Sequence, residues 1–377
     1  MCVCELPLLV CIFMNLEYLN LILIENLFQA WNEFKRGKKN RADVQLFERN
    51  LEDNLFSLHF TLENKTYKHG DYFSFYVNDP KRRHIHKAKV ADRIIHHLLY
   101  QYLYNLWDKT FIYDSYSCKL GKGTHKAVKR LELFTGKVSK NYVKPCWTLK
   151  FDIKKFFASV DHKILLRLLK LKINDDDILR LIKEVINSFC ICHSRESGNL
   201  INRQYLWIPH QVRDDNGCKG IPLGNLTSQV FANIYMDELD KFVKHKLKVK
   251  YYIRYADDFL LLSDNKKSLK RFINPISEFL QNHLKLELHP NKIILRRLDW
   301  GIDFLGYVVL PHYILPRTKT KRRIFKKLKM KINDDNFNQS FQSYLGYLSH
   351  ANSYKLIQEL KNQVYFWVED FKEGKYL

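Results

Sequence analysis

Apolar residues recur at helical spacing through residues 14 to 66, which predicts helices there, with the basic patch FKRGKKNR set among them. Residues 67 to 80 are aromatic and turn-rich and predict short strands ending at Pro80. The chain then turns strongly basic, KRRHIHKAK, before Ile94, Leu98, Leu99 and Leu103 mark one face of a helix. FIYDSYSCKLGKGTHKAVKRLELF reads as a loop with two glycines leading into a basic helix. CWTLKFDIKKFF alternates as a strand does and ends in lysines and aromatics, and DHKILLRLLKLKI follows as an amphipathic helix. NLTSQVFANIYMDELDKFV predicts another helix, YYIRYADDFLLLS two strands around a tight turn, and GIDFLGYVVLP a strand or hairpin. From Arg317 onward the pattern is basic and mostly helical.

One segment breaks the pattern. Residues 192 to 216, CHSRESGNLINRQYLWIPHQVRDDN, are polar and poorly periodic. The segment resembles the translated product of palindromic intergenic repeats that invade bacterial reading frames; the plainer reading is an ordinary long loop. Either way it reads as a surface insertion without catalytic duty, because long surface loops cost little.

Charge changes the picture more than composition does. Hydrophobic residues are 46% of a 377-residue chain with few glycines and prolines, which fits two or three globular domains and excludes disorder. Lys plus Arg number 63 against 40 Asp plus Glu, a net +23. An excess this large, returning in separate segments, predicts a polyanionic partner, since basic surfaces gain affinity by releasing counterions from phosphates. The eight cysteines match no paired zinc spacing; Cys190, Cys192, His193 and Cys218 could form a metal site, but reduced, partly buried thiols in a cytoplasmic protein are the expectation. The apolar start MCVCELPLLVCIF lacks a signal peptide's basic region and cleavage site, and Glu5, Pro7 and Glu17 interrupt it, so no membrane span is expected and Met14 is an alternative start.

Asp257 and Asp258 then stand out, two acids inside an apolar run. A hairpin lifts its turn residues to the end of the sheet, where two unpaired carboxylates would repel each other. A divalent cation removes that problem, and hard cations such as Mg²⁺ take one or two carboxylates plus substrate phosphates. Asp152 ends a similar strand 105 residues earlier, so only a folded sheet could unite the three. Carboxylates on neighbouring strands holding two metals can clamp the attacking and leaving oxygens of a phosphoryl transfer. Taken alone, an acidic turn is the plainer reading of Asp257 and Asp258.

FDIKKFF, GIPLGNLTSQVFANIY, YADD, LHPNK and DFLGY occur in an order that resembles the motifs of reverse transcriptases, from about Pro80 to Gly306 with the insertion between. The resemblance implies an α+β right-hand polymerase: an N-terminal helical extension over 1–66, fingers over 67–145, a palm of antiparallel sheet backed by helices over 146–310, and a short thumb-like basic helical region over 311–377. It implies that Asp152 and Asp257 ligate two Mg²⁺ ions, that the Ile153 carbonyl assists, and that Asp258 completes the acidic turn. Phe157 falls at the family's steric gate, where a ring would collide with a ribose 2′-hydroxyl; a core phenylalanine is the alternative. Lys292 falls near the triphosphate, where it could neutralise charge or protonate the leaving pyrophosphate. Leu223, Gly224, Gln229, Arg83 and Lys122 are further candidates for the nucleotide, and Lys81, Arg82, Arg93, Lys126, Arg322 and Arg323 for nucleic acid, each weighed against a solvated surface cation.

GIPLGNLTSQ and IYDSYSCKLGKGTHKAVKRL resemble the enzymes of diversity-generating retroelements most closely. Many reverse transcriptases carry Gln-Gly where this chain has Leu223-Gly224. A leucine cannot hydrogen-bond an incoming nucleotide, so discrimination should fall. The resemblance implies template RNA and an RNA/DNA hybrid, deoxynucleoside triphosphates, a small basic accessory protein and no membrane. With roughly 70 residues after DFLGY, a short helical thumb is expected and no endonuclease or ribonuclease H domain. Retron, group II intron-like and phage-defence reverse transcriptases stay open, as does an RNA-binding protein whose polymerase has decayed.

Overall fold

The computed structural model describes residues 16–78, 81–191 and 217–372. The insertion 192–216, Pro80, Met14 and the cysteines before residue 16 lie outside them. The chain forms two compact units that interleave along the sequence. The first takes residues up to Tyr113, Ile153–Phe242 and Ile276–Leu288; the second takes Asp114–Asp152, Val243–Pro275 and His289–Leu377.

The first unit is mainly helical. Helices Ile24–Lys35, Ala42–Arg49 and Leu51–Glu63 occupy the stretch whose periodicity predicted them. Helix Leu226–Lys241 is buried on nearly every side, as its apolar sequence requires, and packs on helices Val90–Trp107 and His162–Lys170. The start of the last is fixed by Asp161, whose carboxylate accepts the Ile164 N–H at 3.1 Å and an ion pair from Lys285 at 3.0 Å. Two strands, β1 (Phe73–Val77) and β2 (Arg83–Lys87), form an antiparallel hairpin. The second of these was not anticipated, because RHIHK reads as polar surface rather than as a strand. Cys190 and Cys218 are paired as a disulfide, where reduced thiols were expected. The Ile191 N–H donates to the Lys219 carbonyl at 2.8 Å, which zips the two flanks of the insertion together and brings the cysteine Cα atoms to 5.4 Å.

The second unit holds the two larger sheets. Strands β3 (Trp147–Phe151), β4 (Tyr251–Tyr255), β5 (Asp258–Ser263) and β6 (Ile294–Arg297) form an antiparallel sheet in the order β4-β5-β3-β6. Along β3, Leu149 and Phe151 point to one face and Thr148 and Lys150 to the other, the period of two that the sequence displayed. Helix Thr124–Val138 packs Val128, Leu131 and Phe134 into the cluster that includes Ile253, Leu260 and Leu262. Each such side chain contributes about 1.5–3 kcal/mol on burial. The same cluster takes in a second sheet, β7 (Ile302–Phe304), β8 (Tyr307–Leu310) and β9 (Tyr313–Pro316), so sheet structure runs past the single strand or hairpin expected. Helices Thr318–Met330, Phe337–Leu348 and Tyr354–Lys372 follow and enclose a small core of Ile324, Leu328, Leu348, Leu360, Val364 and Trp367. Among the described residues no helix is long and apolar enough to cross a membrane.

Candidate active site

Sheet register decides which acids can act together. Phe151 pairs with Phe259 and Tyr255 pairs with Asp258. One step beyond the Phe151–Phe259 pair, Asp152 comes abreast of Asp258, on the face that also carries Lys150. The two residues Ala256 and Asp257 close the turn, and Ala256 takes φ +54° to do so. Asp258 therefore belongs to the strand ladder and Asp257 to the turn itself, a division that the adjacent letters DD do not reveal. All three aspartates are half-buried.

Lysines stand beside Asp152 and Asp258. The His289 N–H donates to the Asp152 carbonyl at 2.8 Å, and the Lys292 N–H donates to the His289 carbonyl at 3.0 Å. This short turn folds Lys292 back until its Nζ is 2.9 Å from Asp152 Oδ2. On the other flank Lys150 Nζ lies 3.7 Å from Asp258 Oδ2 and 3.4 Å from the Asp303 carbonyl. Lys150 was not anticipated; in an alternating strand it reads as one more outward polar residue. Among the described residues no three His, Cys, Asp or Glu side chains gather in a metal-holding cluster. The chemistry of the donors nevertheless fits a hard divalent cation: all three side chains offer carboxylate oxygens and no soft ligand stands among them.

Residues 75–309 match the profile of the family described as reverse transcriptase (RNA-dependent DNA polymerase). The chain belongs to this family. With membership comes the right-hand polymerase fold class expected from the sequence, of which the helices and antiparallel sheets above are the material. The group II intron-encoded protein LtrA of Lactococcus lactis subsp. cremoris is 24% identical over 318 residues, 68% of this chain and 48% of that protein. Protein YkfC of Escherichia coli is 21% identical over 253 residues, 58% of this chain and 60% of that one. The chain thus spans about half to three fifths of these relatives. The structure of telomerase from Candida albicans in complex with a fragment of telomeric RNA superposes with a TM-score of 0.49 at 10% identity, covering 88% of this chain and 60% of that one.

The other sequence-chosen residues fall into distinct groups. Phe157 lies half-buried in the short helix Phe156–Ser159, and its carbonyl accepts the Ile221 N–H at 2.8 Å. The GIPLGN turn is thereby tied to it. Leu223 is half-buried and its carbonyl accepts the His86 N–H at 2.9 Å, while Asn225 Nδ2 donates to the His86 carbonyl at 3.3 Å. The basic hairpin β1–β2 is thus docked on the same turn, and Arg83 heads its second strand. Gln229 is exposed in the first turn of helix Leu226–Lys241. Ile153 is buried and bridges Leu288. Lys81 is exposed beside the hairpin, and Arg82 lies 4.1 Å over the Tyr76 ring. Lys122 sits 5.3 Å over the Tyr116 ring, and Lys126 donates to the Gly121 carbonyl. Arg322 is exposed and Arg323 half-buried on helix Thr318–Met330.

The Arg93 guanidinium pairs with Asp43 and lies 4.7 Å over the Phe34 ring.

Gly224 explains itself. It adopts φ +112°, and a Cβ there would stand 2.8 Å from Ile85 Cγ2. Gly224→Ala is expected to cost about 1–2 kcal/mol from left-handed strain and overpacking. Denaturant titration of Gly224→Ala and Gly224→Ala/Ile85→Ala checks this: the double variant should recover the steric part relative to Ile85→Ala alone, but not the backbone part.

Proposed function

We propose that this protein synthesises DNA on an RNA template. The observation that supports the reading best is the placement of Asp152 and Asp258 abreast on adjoining antiparallel strands, with Asp257 in the turn between β4 and β5, inside a reverse transcriptase domain. Asp152 and Asp257, with the Ile153 carbonyl, are the groups that would hold two Mg²⁺ ions, and bound ions would supply positive charge at the attacking and departing oxygens. The chain's own side chains do the rest. Lys292, 2.9 Å from Asp152, would bring an ammonium to the triphosphate and could neutralise or protonate the departing pyrophosphate. Lys150 holds Asp258 in place. Phe157, tied to the GIPLGN turn, offers a ring that would exclude a ribose 2′-hydroxyl. The basic side chains Lys81, Arg82, Arg83, Lys122, Lys126, Arg322 and Arg323 supply counter-charge for template RNA, hybrid and triphosphate.

Leu223 carries the finer reading, error-prone copying in a diversity-generating retroelement with a small basic accessory protein. Its side chain has no group to hydrogen-bond the nascent pair. The relative named as a group II intron-encoded protein favours a second reading, an intron-type enzyme. One experiment separates them: Mg²⁺-dependent incorporation of deoxynucleotides on a primed RNA template, followed by sequencing of the products. Errors concentrated at template adenines are the expected result. Accurate copies would support the intron-type reading, and salt-sensitive RNA binding without any extension, with or without an accessory protein, would defeat both.

A further inference from the structure

Arg254 stands two residues before the Ala256–Asp257 turn, and its side chain is 0% exposed. Burying a guanidinium is costly unless its donors are used. Here Nη1 donates to the Ala256 carbonyl at 3.0 Å and Nη2 donates to Ser115 Oγ at 3.0 Å. The backbone repeats the link. The Arg254 N–H donates to the Asp114 carbonyl and its carbonyl accepts the Tyr116 N–H, each at 3.0 Å, so residues 114–116 run along the outer edge of β4. That loop is anchored in turn, because Arg130 Nε donates to Asp114 Oδ1 at 2.7 Å from helix Thr124–Val138. The carbonyl that Arg254 holds belongs to the peptide leading into Asp257. It is presented by a non-glycine residue at φ +54°, a backbone state that L-residues leave readily unless held.

We infer that Arg254 is a positioning residue for the carboxylate turn, with Ser115 as its brace. By fixing the Ala256–Asp257 peptide it fixes where Asp257 leaves the backbone, and so the geometry in which that carboxylate meets a divalent cation. This rests on the reading of Asp257 as a metal ligand. Lysine cannot substitute: a single ammonium on a flexible stem does not span a carbonyl and a hydroxyl in the fixed fork of a guanidinium.

The test uses the full chain as wild type and in three variants, Arg254→Lys, Ser115→Ala and Ser115→Thr. Mn²⁺ binding is measured by electron paramagnetic resonance without nucleic acid. Half-saturating Mg²⁺ and kcat are measured on a primed RNA template, with primer–template Kd and Tm alongside. For Arg254→Lys we expect Mn²⁺ binding weaker by about tenfold, half-saturating Mg²⁺ raised by about tenfold and kcat lowered by about 10–100-fold, since misplacement by about 1 Å is enough for such losses. Primer–template Kd should not move. Ser115→Ala should follow with about threefold effects, and Ser115→Thr, which keeps the hydroxyl, should restore wild-type values. A folded Arg254→Lys protein with unchanged Mn²⁺ binding and half-saturating Mg²⁺ would overturn the inference. If that variant does not fold, unchanged metal binding in Ser115→Ala would overturn it instead. A wild type that binds Mn²⁺ but never extends a primer would sink the polymerase reading alone, while the Mn²⁺ comparison still decides the role of Arg254.

Discussion

Asp257→Asn is expected to lower primer extension by about a thousandfold or more, equivalent to about 4 kcal/mol of the barrier. Asparagine keeps the size and one oxygen of the side chain but loses the charge that draws a divalent cation. Asp257 sits in the two-residue turn, outside the ladder that fixes β4 to β5, so the substitution leaves the strand pairing intact. Tm should therefore stay within a few degrees of wild type, and binding of primer–template should be preserved. Asp258→Asn makes the instructive contrast. Asp258 heads β5 and faces Lys150 across 3.7 Å, so its carboxylate serves the local charge balance as well as any ion. Its loss should cost less activity than that of Asp257, and Lys150→Met should reproduce part of the defect. Single-turnover extension at saturating nucleotide, over a range of Mg²⁺ concentrations, is the measurement. Equal activity of Asp257→Asn and wild type would remove the turn from the chemistry.

How much of this was legible beforehand depended on whether the signal was local. The strand–turn–strand around YADD and the strand ending at Asp152 announce themselves through alternation, and the pairing of Phe151 with Phe259 joins them. Residues whose meaning is a partner far along the chain were not legible. Arg254 occupies an ordinary position in an alternating strand; only its contacts with Ser115 and Ala256 show what a buried cation is for. Lys150 likewise reads as an outward polar residue until Asp258 and the Asp303 carbonyl are brought beside it. The Arg93 ion pair with Asp43, 50 residues earlier, is another long-range contact that no local pattern announces. Cys190 and Cys218 could not be paired by spacing, since the segment between them gave no register. Gly224 was chosen through the resemblance, whereas the physical demand for glycine comes from Ile85, on a strand that the pattern of RHIHK did not predict.

Stability of the first unit should fall as the pH drops below about 6.5, and His96 is the main reason. It is buried on helix Val90–Trp107, and burial, aided by His69, His97 and Arg93, holds its pKa well below the ordinary value. The hydrogen bonds explain why no proton is welcome. His69 Nδ1 lies 2.6 Å from the Gly70 carbonyl, which can only accept, so His69 carries its proton there. His69 Nε2 and His96 Nε2 face each other across 3.1 Å, a gap with room for one proton only. A second proton on His96 would have to go on Nδ1, which has no partner in its buried position. In the unfolded chain the same imidazole titrates near pH 6.5. Below that value the unfolded state binds the extra proton and the folded state does not, so stability rises with pH and is lost as pH falls. The slope approaches about 1.4 kcal/mol per pH unit for this one group. His86 and His97, both held down to about 4 chiefly by burial, act in the same direction. Urea midpoints of wild type and His96→Leu between pH 7.5 and 5 measure the effect. Wild type should lose stability steadily over that range, and the variant, whatever its stability at neutral pH, should show a shallower slope by about one proton's worth. Parallel slopes would mean that His96 is charged in the folded protein and that the His69–His96 contact is not the neutral hydrogen bond its geometry describes.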